Sequence, residues 1–78
     1  MNKTNFTKAF DNLKGHERRV VKEVIIRTCK LKSPVSFYQK KNGDRQISER
    51  SEKGVNEIQI IENTFKAFNV NAWTGEKI

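Results

Sequence analysis

The chain has 78 residues, of which 35% are hydrophobic and 32% charged, and its formal net charge is +7. So short a chain predicts one small domain with little room for a buried catalytic cleft, so we expect neither an enzyme nor a small-molecule substrate. No apolar run reaches membrane-spanning length, the N-terminus lacks an apolar signal, and the single Cys29 cannot form an internal disulfide, which together predict a cytoplasmic protein without a membrane partner.

The positive charge is concentrated in the middle of the chain. Residues 14–45 hold ten basic side chains against three acidic ones, whereas residues 46–78 hold four basic and five acidic side chains. A segregated basic segment is typical of proteins that bind a phosphate backbone. The alternative is a generic basic surface that has no nucleic-acid partner.

Hydrophobic spacing predicts a compact all-α domain of four helices over residues 1–68. Residues 69–78 are mostly polar and are expected to form a partly flexible C-terminal tail. We expect this tail to fray unless Trp73 folds back onto the domain.

The first two helices are predicted over residues 5–13 and 16–28. Thr4 is a plausible N-cap for the first helix, and Gly15 is expected to stop it. The apolar residues at helical spacing are Phe6, Ala9, Phe10 and Leu13 in the first helix, and Val20, Val21, Val24, Ile25 and Thr28 in the second. The β-branched run in the second segment would also suit a strand, but its period and interleaved charges favour a helix.

The third helix is predicted over residues 34–42, with Ser33 as cap, Pro34 at its first position and Gly43 at its end. The fourth is predicted over residues 52–68, with Ser51 as a possible cap. Its apolar stripe comprises Val55, Ile58, Ile61 (or Glu62), Phe65 and Phe68. In the polar loop 43–50, Ile47 is expected to point inward.

Helices two and three form the pattern of a helix-turn-helix, because only the four residues from Lys30 to Ser33 separate them. In such a motif the second helix is short and lies along the major groove of DNA. Phe37 is expected to face inward, helped by Leu31 and part of Tyr38. The predicted outward residues are Val35, Ser36, Gln39 and Lys40.

Residues 29–43 resemble the helix-turn-helix of small phage-repressor or Cro-like regulators, through Ser36-Phe37-Tyr38 and Asn42-Gly43. With the flanking helices, the resemblance covers roughly residues 5–68. The chain departs from the family at Lys40 and Lys41, where an apolar residue is usual, and its turn is one residue longer. The resemblance implies sequence-specific binding of double-stranded DNA by a small transcriptional regulator of phage or mobile-element type.

The resemblance also assigns contacts to particular positions. Val35 and Gln39 match positions that reach base edges, where valine can meet a thymine methyl and glutamine an adenine edge, and Lys40 is predicted as a third base contact. The predicted phosphate contacts are Arg18, Arg19, Lys32, Ser36, Lys41, Asn42 and Arg45.

A single module of this size binds DNA weakly, so a homodimer is expected, with Ile60, Val70 and Trp73 as its candidate surface. Two other functions stay open. One is a protein-interaction module of antitoxin or anti-repressor type, which keeps the helix-turn-helix shape without using DNA. The other is an RNA-binding module, for which Tyr38 and Trp73 would be the exposed stacking rings.

Several residues that resemble reactive groups have simpler interpretations. Cys29 is predicted to be a small buried side chain, and Phe65 and Phe68 fit the core better than a base-stacking platform. We find no metal or cofactor motif in the sequence. The acids are predicted to form surface pairs with neighbouring bases: Glu17, Glu23, Asp44, Glu49, Glu52, Glu57 and Glu62.

Overall fold

A computed structural model describes residues 5–50 and 54–78. Its four helices are α1 (Thr7–Asp11), α2 (Gly15–Thr28), α3 (Pro34–Asn42) and α4 (Glu57–Lys66). Within the described ranges no strand is present, and the β pairing there is a single antiparallel bridge between Val70 and Lys77. The prediction of a compact all-α domain of four helices is therefore confirmed.

The junction between α1 and α2 differs from the prediction, because Gly15 begins α2 instead of following α1 as a stop. The amide of Lys14 donates to the Glu17 carboxylate at 2.8 Å, which fixes the start of α2 at this point. The Arg18 guanidinium donates to the backbone oxygens of Phe10 and Asp11 at 3.2 and 2.7 Å. Both carbonyls belong to the last turn of α1, and the Phe10 oxygen also accepts from the Leu13 amide at 3.2 Å. Arg18 therefore ties the two helices together. The Thr4 cap lies outside the described residues.

The predicted bounds of α3 are confirmed. Pro34 occupies the first turn, and Gly43 ends the helix with a left-handed φ of 85°. This conformation costs glycine little, because it lacks a Cβ atom. Ser33 precedes the helix in an extended conformation, but its side chain makes no capping hydrogen bond, so that part of the prediction is wrong.

Helix α4 begins later than predicted. Residues 54–56 are not helical, and Asn56 caps the helix by accepting a hydrogen bond from the Gln59 amide at 3.0 Å. The stronger N-cap at Asn56 sets the boundary, since asparagine satisfies an amide that lacks a partner in the first turn. The proposed cap at Ser51 lies outside the described residues.

Three phenylalanines from different segments form the centre of the core. The rings of Phe37 on α3 and Phe65 on α4 each lie 5.6 Å from the ring of Phe6, measured between centroids. Helix α2 adds one buried face, which comprises Val21, Ile25 and Cys29. Ile47 from the loop is also buried, as predicted. Val20 and Val24 of the predicted α2 stripe lie on the exposed side of that helix instead.

The C-terminal segment does not fray, because Trp73 folds back onto the domain. Trp73 is only 8% exposed, and its indole N–H donates to the Glu62 carboxylate on α4 at 2.8 Å. The side-chain amide of Asn12 donates to the Gly75 carbonyl at 2.7 Å, which ties the segment to the end of α1. Residues 69–78 are therefore part of the packed structure and do not form a loose tail.

This packing covers most of the apolar side chains that were predicted to form a dimer surface. Val70 and Trp73 are buried within their own chain, and Ile60 is partly buried against the core. The apolar surface of Val70 and Trp73 is covered by the fold of a single chain, so these residues are core residues.

Candidate nucleic-acid interface

Helix α3 lies on the surface with one side in the core. Phe37 anchors it by packing against the rings of Phe6 and Phe10, with centroids 5.6 and 5.5 Å away. The backbone carbonyl of Lys41 accepts hydrogen bonds from the Phe6 amide at 3.2 Å and the Thr7 hydroxyl at 2.9 Å. These contacts with Phe6, Thr7 and Phe10 hold α3 in a fixed orientation, and the opposite side of α3 faces solvent.

The solvent side of α3 is formed by Val35, Tyr38 and Asn42. Val35 is 62% exposed and Tyr38 41% exposed. Residues three and four positions apart share one helix face, so these three side chains form a single row along the helix. The sequence of α3 contains no acidic residue, so nothing on this helix would repel a phosphate backbone.

Two lysines lie beside this row. The Lys22 ammonium on α2 is 5.2 Å from the centroid of the Tyr38 ring, and the Lys41 ammonium is 5.8 Å from it. Lys41 also lies 5.4 Å from the Phe10 ring. These cation–π contacts hold the ammonium groups close to the exposed ring of Tyr38 while leaving their N–H donors free to meet an anion.

The predicted base contacts are only partly placed on the exposed row. Val35 is there, whereas Gln39, four residues further on, lies beside the row and is half-buried. The backbone carbonyl of Gln39 accepts hydrogen bonds from the amides of Asp44 and Arg45, at 2.8 and 3.2 Å, where the chain leaves the helix. Tyr38, expected to be partly inward, takes the outward position instead.

The assignment of Lys40 to the outward face does not agree with its position. Lys40 is only 9% exposed, and its ammonium donates to the Glu57 carboxylate at 3.0 Å and to the Gln46 carbonyl at 3.1 Å. Because Lys40 follows Phe37 by three residues, it shares the inward face. Its alkyl chain lies on the inward face of α3, and the ion pair neutralises its charge.

Glu57 completes this buried cluster and is not the surface acid that the sequence suggested. It is 3% exposed, and the same oxygen that meets Lys40 accepts a hydrogen bond from the Ser48 amide at 3.1 Å. The pair therefore joins α3 to the loop and to the first turn of α4. Sequence spacing gave no signal for it, because the partners are separated by 17 positions.

Cys29 lies near the same cluster. Burial raises the pKa of its thiol to about 11, and the negative charge of Glu57 adds to the increase, while Lys40 opposes it. A thiol in this environment stays protonated at neutral pH and is a poor nucleophile. Its position at the end of α2 fits the predicted role as a small buried side chain.

The predicted phosphate contacts fall into two groups. Ser36 and Lys41 are half-buried on α3, and Arg18 uses its guanidinium to hold the end of α1. The others lie on exposed positions around the helix-turn-helix: Arg19, Lys32, Asn42 and Arg45. Lys22 was not among the predicted contacts, and its position over the Tyr38 ring depends on the packing of α2 against α3, which sequence spacing does not indicate.

Among residues 5–50 and 54–78, no group of three or more His, Cys, Asp or Glu side chains could hold a metal ion. No helix in these ranges is both long and apolar enough to span a bilayer. A shallow cleft lies between α4 and the C-terminal segment, with Glu62, Val70 and Trp73 in its wall.

Comparisons of the chain with known protein families, curated proteins and solved structures found no match.

Proposed function

We propose that this protein binds double-stranded DNA by placing the exposed side of α3 in the major groove. The observation that supports this most directly is the row formed by Val35, Tyr38 and Asn42 with the ammonium groups of Lys22 and Lys41 beside it. Helix α3 has nine residues and is therefore about 13 Å long, which matches a short helix in that groove.

The surrounding charge supports the same interpretation. Arg19, Lys32 and Arg45 are exposed near the helix-turn-helix and can meet phosphates that flank a bound helix. Such contacts position a protein on DNA, whereas the side chains of α3 would meet base edges. A small transcriptional regulator of phage or mobile-element type is the role that fits this mode of binding and the resemblance of residues 29–43.

The test is a binding titration against duplex DNA, single-stranded DNA and duplex RNA at several salt concentrations. We expect duplex DNA to bind most tightly and its affinity to fall steeply with salt. Lys32→Gln should reduce the slope of log affinity against log salt by about 0.9, the value for one phosphate contact. Lys66→Gln, which changes an exposed lysine on α4, is the matched control and should leave the slope unchanged.

A second pair of variants tests the face of α3 itself. Val35→Glu adds a negative charge at an exposed position in the first turn of α3, where the helix dipole tolerates it, and should abolish duplex binding without unfolding the protein. Val20→Glu is the control, because Val20 is an exposed valine about 160° around α2 from Lys22. Absence of duplex binding at low salt, or equal effects of both variants, would refute the proposal.

A protein-interaction module is the second candidate function. The exposed pair Val20 and Val24 favours it, since two valines one turn apart form an apolar strip on α2 outside the core. This function predicts the reverse pattern: Val20→Glu would disrupt binding to a protein partner, and Val35→Glu would leave it intact.

A further inference from the structure

The centre of the exposed row on α3 is apolar. Val35 and Tyr38 are the two large hydrophobic side chains of this helix that solvent reaches, at 62% and 41% exposure. They are three residues apart, so their Cβ atoms lie about 5–6 Å from each other on one helix face. A groove that receives α3 therefore meets the apolar surface of Val35 and of the Tyr38 ring beside the polar groups of Tyr38 and Asn42.

One long polar side chain of α3, that of Lys40, is held away from this position, and another, that of Gln39, is only partly exposed. The ammonium of Lys40 is bound to Glu57 and the Gln46 carbonyl, and Gln39 is half-buried beside the row. The ammonium groups of Lys22 and Lys41 lie beside the Tyr38 ring and carry charge suited to phosphates. Hydrogen bonds from α3 to base edges can come from Asn42, the Tyr38 hydroxyl and the part of Gln39 that solvent reaches.

The major groove displays one apolar group, the C5-methyl of thymine. Base pairs rise by about 3.4 Å each, so the spacing of Val35 and Tyr38 corresponds to one or two base-pair steps. We infer that α3 selects duplexes with thymines one or two base pairs apart, whose methyl groups pack against Val35 and the Tyr38 ring. This inference rests on the proposed function and specifies the class of DNA that is bound.

Replacing thymine by deoxyuridine tests the inference, because it deletes the methyl group and leaves base pairing and the O4 acceptor intact. The best-binding duplex is first selected from a random pool, and each thymine is then replaced singly. We expect two positions, one or two base pairs apart, at which the replacement weakens binding about fourfold, the value for one buried methyl group. As a control, 5-methylcytosine is placed at a cytosine outside these two positions. The methyl group that it adds there should not restore the lost affinity.

The protein side of the contact is tested on the selected duplex and on its uracil replacements at the two positions. Val35→Ala should remove the thymine preference at one of the two positions, whereas Val20→Ala, the matched exposed valine, should leave both preferences unchanged. If the duplex binds but no uracil replacement changes affinity, or if Val35→Ala leaves both preferences intact, the thymine inference is wrong and DNA binding stands. If no duplex binds at low salt, the proposed function itself is refuted, and the inference with it.

Discussion

Removing one partner of the buried Lys40–Glu57 pair should strongly destabilise the domain. Lys40→Met keeps most of the alkyl volume but removes the ammonium partner of the Glu57 carboxylate, which is 3% exposed and keeps its hydrogen bond from the Ser48 amide. Removing one partner of a buried ion pair typically costs about 3–5 kcal/mol, because the remaining charge stays out of water. A domain of this size has roughly 4–12 kcal/mol of stability in total, so the loss should be large.

A second substitution separates the cost of the orphaned charge from the loss of packing. In Lys40→Met/Glu57→Gln the amide is neutral, and its oxygen can still accept from the Ser48 amide. We expect the double variant to regain about 2 kcal/mol relative to Lys40→Met, because no uncompensated charge remains buried.

The measurement is urea unfolding followed by circular dichroism, with Lys41→Met as the matched control. Lys41 is adjacent in sequence and half-buried against aromatic rings, so its replacement should cost less than about 1 kcal/mol. The role of the ion pair is refuted if Lys40→Met lowers the free energy of unfolding no more than Lys41→Met does. The cost assigned to the unpaired Glu57 charge is refuted if the double variant is no more stable than Lys40→Met.

Three further predictions concern the rest of the fold. Gly75→Ala should lower the free energy of unfolding by at least about 1–2 kcal/mol, since φ there is 77° and a Cβ would come within 3.0 Å of Lys8 backbone. Gly54→Ala shares a positive φ of 75° but meets no atom within 4 Å, so it should cost less in the same urea titration. Trp73→Phe removes the indole donor to Glu62 and should destabilise by about 1.5–3 kcal/mol, measured by thermal unfolding. Because the pKa of Cys29 is raised to about 11 from 9.0, its contribution to stability is complete below pH 9 and lost between pH 9 and 11, so the stability difference between wild type and Cys29→Ala should shrink over that range.

The features that local sequence determines were predicted well. The bounds of α3 follow from Pro34 and the left-handed Gly43, which act within one turn of the helix ends. The four apolar residues predicted for the first helix are all buried, although α1 (Thr7–Asp11) is shorter than predicted and Phe6 and Leu13 lie just outside it. Local signals gave the wrong start for α4, where more than one residue could serve as the N-cap. Asn56, and not an earlier residue, caps the helix.

The features that depend on distant residues could not be predicted in the same way. Lys40 was assigned outward because lysine is rarely buried without a partner, and its partner lies 17 positions away. The same applies to Trp73, whose burial depends on Glu62 and on the approach of Gly75 to α1. Because Lys40 faces inward and Tyr38 faces outward, Tyr38 joins Val35 among the candidate base contacts and Lys40 leaves them.

The most direct test of DNA binding by α3 is NMR mapping of backbone amide shifts while duplex DNA is added at low salt. The proposal predicts that the largest changes fall in α3 (Pro34–Asn42) and at Lys22 and Lys32, with small changes in α4 (Glu57–Lys66) and residues 69–78. The result that would contradict it is an unchanged spectrum, or changes centred on α4 and the C-terminal segment.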